Sequence, residues 1–331
     1  MTRCERVKAA IAHKEADKLP SLIHMAWDGW CAYNERLWDR YITDDMSRLC
    51  EEGKLSRLNA LYYSMGNHVA ILENYPWWDW YDLPAEYSGW ETPGFLPKTI
   101  GRGSYEGFAQ SIRHIKENTD AYVLVQIWGS DFEKAYFSRG LENFLADMAA
   151  DPDYAKGLLD FITHKNLVML ENIVNIPGID GILLGNDWGS QRGLLMSPEV
   201  WRTMIAPGAK QEYDLIHKAG IDVWVHSCGD ISRVIPDLAE MGVDVLNPLQ
   251  PECMDIYALK QAYGDKITFW GGISTQRTLP NGPPDEVRAE TRKVARALSQ
   301  NGGYITAAAQ GIQSDVPFEN LCALIDEARV L

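Results

Sequence analysis

Six cysteines in 331 residues, at positions 4, 31, 50, 228, 253 and 322, are too few and too scattered for a disulfide framework. No apolar run reaches the ~18 residues needed to span a bilayer, and the opening residues MTRCERVKAA lack a signal peptide's apolar region. Positive charge is also short: 31 Lys and Arg stand against 46 Asp and Glu, a formal net charge of −15. Such a field repels phosphate backbones and anionic lipid, which argues against nucleic acid or a membrane surface as partner. No glycine-rich phosphate loop follows a candidate strand, since Gly271-Gly272 runs into Ile273-Ser274-Thr275 without nucleotide-site spacing or a basic residue. No low-complexity linker divides the chain. A single globular domain in the cytoplasm is expected.

Aromatic residues, by contrast, are abundant, with 12 tryptophans and 15 tyrosines. Four of the tryptophans crowd into ENYPWWDWYDLPAEYSGWETPG, residues 73–94, where prolines and acids interrupt any periodicity. Such a segment is either a loop packed down by its own rings or an aromatic-walled lid suited to a planar ligand.

Short apolar, β-branched runs alternate with longer amphipathic stretches. The candidate strands are Leu19–Ala26, His68–Asn74, Tyr122–Trp128, Gly181–Asn186, Asp222–His226, Asp244–Pro248, Ile267–Trp270 and Tyr304–Ala308. Continuous apolar runs such as DGILLGND and IDVWVHSCG fit strands covered on both faces, as parallel sheets require. Ser197-Pro198-Glu199 predicts a capped helix start, and the helix opening at Pro284-Asp285 has a stop signal at Asn301-Gly302-Gly303. Eight strand–helix alternations predict an α/β fold of the (β/α)8 TIM-barrel type, one domain over residues 1–331 with an aromatic-rich insertion at about 73–120.

Barrels of this kind carry their chemistry at the C-terminal ends of the strands. The polar and aromatic residues at those ends are His24, Trp27, Asp28 and Trp30 after the first strand, and Gln126 and Trp128 at the third. Asn186 and Asp187 follow at the fourth, His226 and Cys228 at the fifth, Gln250 at the sixth and Gln310 at the eighth. His226 and Cys228 stand two apart, so in extended chain they point the same way. They could converge on a zinc ion, or form a hydrogen-bonded pair in the barrel mouth. Asp28 and Asp187 are the carboxylates expected to face the cavity. Either would donate a proton if burial raised its pKa, with His24 as a further donor, although Asp187 could equally cap a helix.

The chain resembles the uroporphyrinogen decarboxylase superfamily, and within it the corrinoid-dependent methyltransferase branch. The resemblance rests on ERVKAAIAHKEADKLP, LLGNDWGSQRGLLMSPEVWRTMIAP, HKAGIDVWVHSCGDISRVIPDLAEMGVDVLNPLQPE, YGDKITFWGGISTQRTLPNGPPDEV and GGYITAAAQGIQSDVPFENLCALI. True uroporphyrinogen decarboxylases carry an arginine-rich stretch after the first strand; here it reads HMAWDGWCAYN, with no arginine before Arg36. A pocket without cations cannot neutralise a porphyrinogen's many carboxylates. The H-x-C at His226 and Cys228 is similar to the zinc-binding H-x-C of the methyltransferases. Their thiol-methylating members add a later cysteine, where this chain has Gln310.

The resemblance therefore implies transfer of a methyl group from a small donor, such as a methoxylated aromatic, to cobalamin on a separate corrinoid protein. Trp27, Trp30 and Trp128 would stack the ring; Gln126, Asn186, Gln250 and Gln310 would bind the donor; Asp187, Asp28 or His24 would supply the proton; His226 and Cys228 would hold zinc. A zinc-dependent methylcorrinoid:thiol methyltransferase is the alternative, and a non-catalytic small-molecule-binding barrel the third reading. A homodimer is the expected assembly.

Overall fold

The computed structural model describes residues 1–72 and 105–331. The aromatic segment 73–94, with Trp77, Trp78, Trp80 and Trp90, lies outside the described residues, as do the last two positions of the candidate strand His68–Asn74. The described strands are β1 (Val69–Leu72), β2 (Tyr122–Ile127), β3 (Gly181–Gly185), β4 (Gly189–Ser190), β5 (Gly193–Leu194), β6 (Asp222–His226), β7 (Val245–Leu249), β8 (Thr268–Ile273) and β9 (Tyr304–Ala308). Helices separate most of them, and every pairing between the longer strands described below is parallel. This is an α/β fold. No described helix is long and apolar enough to cross a membrane.

The chain groups into two compact units. The first comprises Met1–Ile71, Ser111–Leu124 and Asp244–Leu331. Its centre is the ladder β7–β8–β9, with β8 and β9 in register from Phe269 opposite Tyr304 to Ile273 opposite Ala308. Every residue of these three strands is buried, as expected of parallel strands covered on both faces. The β7–β8 register slips between Leu246 and Leu249, around Pro248, which has no N–H to give a ladder. The helix Pro284–Leu298 buries Val287, Val294 and Leu298, and Arg292 on its flank pairs with Glu327 at 2.9 Å. It ends at Leu298, ahead of the Asn301-Gly302-Gly303 stop, whose three residues all adopt positive φ.

The expected first strand, Leu19–Ala26, is not a strand but a pair of isolated parallel bridges, Ser21 to Thr306 and Met25 to Ile312. One edge bonds backbone: Leu22 N–H reaches the Thr306 carbonyl and Ala26 N–H the Ile312 carbonyl. On the other edge the His68 N–H bonds the Ser21 carbonyl at 2.9 Å, and the segment's own amides are taken by side chains. Ser21 N–H bonds His68 Nδ1, Ile23 N–H bonds Asn67 Oδ1 at 2.8 Å, and Met25 N–H bonds the Tyr62 hydroxyl at 2.8 Å.

The second unit comprises 72–110 and 125–243. Its core strands β3 and β6 pair in parallel, from Gly181 opposite Asp222 to Gly185 opposite His226. The 22-residue helix Pro152–Ile173 starts on the Asp151 side chain, which accepts from Tyr154 N–H at 3.2 Å. It packs on the helix Ala206–Lys218, where a Cβ on Gly208 would lie 2.5 Å from Thr163 Oγ1. Ser197 caps the next helix start as expected, accepting from Val200 N–H at 3.1 Å.

Candidate functional site

The β3–β6 register builds the site. Gly185 stands opposite His226, so the residues just beyond both strand ends, Asn186-Asp187 and Ser227-Cys228, emerge side by side. The strand ends are stapled: Asn186 N–H bonds the His226 carbonyl at 2.8 Å, and Trp188 N–H bonds Ser227 Oγ at 3.0 Å. The hairpin β4–β5 then lies on the turn after Cys228, because Gly189 and Gly229 let the two backbones touch. A Cβ on Gly189 would be 2.5 Å from the Cys228 carbonyl oxygen, and one on Gly229 2.5 Å from Gly189.

Three unlike donors converge there. Cys228 Sγ lies 3.3 Å from His226 Nε2, and His226 Nε2 lies 3.6 Å from Asp187 Oδ1. The ligand atoms of Asp187, His226 and Cys228 all fall within 4.8 Å of one another. Zinc bonds of 2.0–2.3 Å in a tetrahedron leave ligand atoms about 3.3–3.8 Å apart, the spacing of the Cys228–His226 and His226–Asp187 pairs, and N, S and O are all donors that the ion accepts. Three protein ligands leave a fourth position open, the arrangement of catalytic zinc. Asp187 Oδ1 also accepts Cys228 N–H at 2.8 Å, which fixes the carboxylate on the thiol's own turn.

The expected pair His226 and Cys228 thus does converge, and Asp187, expected as an acid or a cap, joins it as a third donor. The Trp128 ring meets the His226 imidazole edge-on, with centroids 4.9 Å apart, while keeping 41% of its surface exposed. Gln126, two residues earlier on β2, is buried, and among the described residues neither its amide oxygen nor its nitrogen has a partner. Asn186 is buried too, but its amide is engaged in starting the helix Asp131–Arg139. Its oxygen accepts from Phe132 N–H at 3.1 Å, and its nitrogen donates to Asp131 at 2.6 Å.

Glu133, in the first turn of that helix, was not foreseen. Its carboxylate accepts from Gly129 N–H at 3.0 Å and from the Tyr136 hydroxyl at 3.2 Å. Burial, reinforced by the nearby negative charge of Asp187, pushes its pKa up to about 7. The signal was Ser130-x-x-Glu133, which reads as a capping box. In the fold Ser130 Oγ donates instead to Glu212 at 3.0 Å, and Glu133 reaches one residue further back. Behind it Asp131 and Glu212 are buried among Ser130, Asn166 and Asn186, and burial raises both pKa values above the ordinary carboxylate range.

The remaining candidates belong to the first unit. Asp28 is exposed at the start of the helix Trp27–Tyr41 and accepts from Ser314 N–H and Oγ, both at 2.9 Å. Those bonds hold its pKa below the usual carboxylate range, opposite to the shift expected of a proton donor. Trp27 is 79% exposed; Trp30 packs edge-on to Tyr62, and the His24 ring tilts against Trp270 at 5.1 Å. Gln250 is buried, and Gln310 is half-buried with its side-chain oxygen accepting from Gly311 N–H at 3.2 Å.

Fold and cluster together define an α/β protein with a metal-competent His, Cys and Asp set at the ends of adjacent parallel strands. The chain belongs to the uroporphyrinogen decarboxylase (URO-D) family, whose profile matches residues 97–331. It is 22% identical over 236 residues to a methylated-thiol–coenzyme M methyltransferase of Methanosarcina mazei, covering 71% of this chain and 58% of that one. It is 28% identical over 185 residues to the methylcobamide:CoM methyltransferase MtaA of Methanosarcina barkeri, covering 56% of this chain and 51% of that one. The chain therefore spans between 51% and 58% of the length of these two relatives. A solved methyltransferase from Methanosarcina mazei shares the fold, with a TM-score of 0.70 at 20% identity over 99% of this chain and 98% of that one.

Proposed function

We propose that the chain is an enzyme, a corrinoid-dependent methyltransferase. It moves a methyl group between a corrinoid carried by a separate protein and a small molecule whose sulfur or oxygen binds at Asp187, His226 and Cys228. The observation that carries this reading is the convergence of three different donor atoms within 4.8 Å. The names of the two Methanosarcina relatives support the corrinoid and the methyl group. We read the fold as the closed (β/α)8 barrel in one domain, and the active protein as a cytoplasmic homodimer.

Zinc held by the three side chains would supply a Lewis acid for the heteroatom that gains or loses the methyl group. The surrounding residues handle position and protons. Trp128 offers an exposed ring face beside His226, against which a planar donor can lie. Gln126 supplies a buried amide without a partner among the described residues, a group that a ligand's polar atom would satisfy. Glu133, with its pKa near 7, is matched to proton transfer at neutral pH.

If the donor is a methoxylated aromatic, the O–CH3 bond would break as the methyl passes to the partner protein's cobalt(I) corrinoid, which supplies the electron pair of the new bond; the O–C pair stays on oxygen, and Glu133 protonates it. If the acceptor is a thiol, the methyl would leave the partner protein's methylcorrinoid with the Co–C electron pair staying on cobalt, the S–CH3 bond forms from a sulfur electron pair, and Glu133 receives the S–H proton. The exposed Trp128 favours the first reading; the thiol named in one relative favours the second. The test incubates protein purified without chelator with reduced cobalamin and methoxyarenes, and separately with methylcobalamin and thiols, while following the cobalamin spectrum. A donor-dependent or thiol-dependent spectral change, lost on metal removal, is expected. Methyl transfer in neither panel, in protein that binds no metal, overturns the proposal.

A further inference from the structure

The first unit contains a recess of about 320 Å³ that shares no residue with the metal cluster. Its walls include Arg3, Arg6, Lys18 and Arg329, four cations gathered in a chain with a net charge of −15. Two of them have carboxylate neighbours. Arg6 Nε lies 2.7 Å from Asp17, and Arg3 Nε lies 3.8 Å from Asp120 while its Nη1 donates to the carbonyls of Tyr63 and Asn67. Lys18 donates to the Arg329 carbonyl, and among the described residues no carboxylate stands within ion-pair distance of Lys18 or of the Arg329 guanidinium. Burial, and then repulsion from the other cations, lowers the pKa of Lys18. A bound anion would relieve that repulsion.

His68 gives the second, independent observation. It lines the same recess and is only 3% exposed. Its Nδ1 accepts the Ser21 N–H at 3.1 Å, so the neutral ring carries its proton on Nε2. That Nε2 is buried and has no partner among the described residues. Burial first, then the charges of Arg3, Arg6 and Lys18, push the His68 pKa down to about 3, so at neutral pH it is an uncharged donor lacking an acceptor. Buried donors in proteins are nearly always paired. The recess thus gathers guanidinium and ammonium groups beside a buried imidazole N–H, the donor chemistry that selects an oxyanion.

We propose that this recess binds a phosphate group, carried on a small phosphomonoester. Guanidiniums are matched to phosphate oxygens in pairs, and His68 Nε2–H finds its acceptor on the same group. The volume is at the lower end of small-ligand sites and leaves room for an organic portion beyond the phosphate. Nothing in this proposal depends on the methyl-transfer reading.

The test is calorimetric titration of the full chain with inorganic phosphate, ribose 5-phosphate and glycerol phosphate, each at constant ionic strength set by chloride. Saturable binding with Kd at or below about 1 mM is expected, tightest for a phosphomonoester. Arg329→Gln, and separately Lys18→Gln, should each weaken it by about tenfold, with far-UV circular dichroism unchanged. The Nε2 proton of His68 should shift on titration, an effect general ionic screening would not produce. Inorganic phosphate binding as tightly as the esters would make the free ion the ligand and overturn the ester assignment. No saturable binding of any of the three with Kd at or below about 1 mM, or variants that bind like the parent chain, would overturn the site itself.

Discussion

Asp187 does two jobs with one oxygen: it accepts the Cys228 N–H at 2.8 Å and stands 3.6 Å from His226 Nε2. Replacing it with Asn keeps the size but removes the charge a metal would meet. Asp187→Asn and Cys228→Ser should each weaken zinc binding by about a hundredfold, read by competition with a chromophoric chelator. Unaltered affinity in both would remove the cluster from consideration. Glu133 makes a different prediction, tested in metal-free protein. Its folded pKa of about 7 exceeds the ordinary 4.5, so between those values the folded chain keeps a proton that the unfolded chain has lost. Stability from this group is full below pH 4.5 and declines as pH rises to 7, by up to about 3 kcal/mol. Urea unfolding of Glu133→Gln should show a flatter dependence across that window, and a slope equal to the parent's would refute the assignment.

At the scale of elements, the hairpin β4–β5 and the turn at Gly229 are pressed backbone to backbone. Gly229 sits at φ +82°, where a Cβ is strained, and that Cβ would also lie 2.5 Å from Gly189 and Ser190. Gly229→Ala should cost about 2–4 kcal/mol and weaken metal binding by displacing Cys228, both measurable on one purified variant. A neutral substitution would mean that the hairpin can lift away freely.

Much at this scale was legible. Asp222–His226 and Tyr304–Ala308 read as the strands they are, because buried parallel strands are written as unbroken apolar runs. The H-x-C convergence was legible for a similarly local reason, the two-residue period of extended chain. Asp187 as a third donor was not, since it depends on which strand lies beside β6 and in what register. Glu133 was hidden because its environment comes from burial and from Asp187, neither of which its own helix encodes. The segment Leu19–Ala26 reads as a strand because its pattern is extended, whereas its partners Tyr62, Asn67 and His68 are side chains roughly forty residues away.

For the whole molecule, His68 sets a limit on the acid side. Its folded pKa of about 3 lies below the ordinary 6.5, so on acidification the unfolded chain binds a proton that the folded ring refuses. Stability from this residue is full above pH 6.5 and is lost as pH falls toward 3, by at most about 5 kcal/mol. Denaturant unfolding between pH 7 and pH 4 should therefore be steeper for the parent than for His68→Gln. Equal slopes would show that the imidazole is solvated after all.

The side-chain locks on residues 19–26 carry a consequence for how this fold can vary. A backbone ladder is indifferent to sequence, since every residue but proline brings the same amide and carbonyl. Here three amides of one segment hang on a phenol, a carboxamide and an imidazole. Each fastening can be undone by a single codon change. Neutral drift at positions 62, 67 and 68 is thereby confined to residues that present an acceptor at the same spot, whatever they do for catalysis.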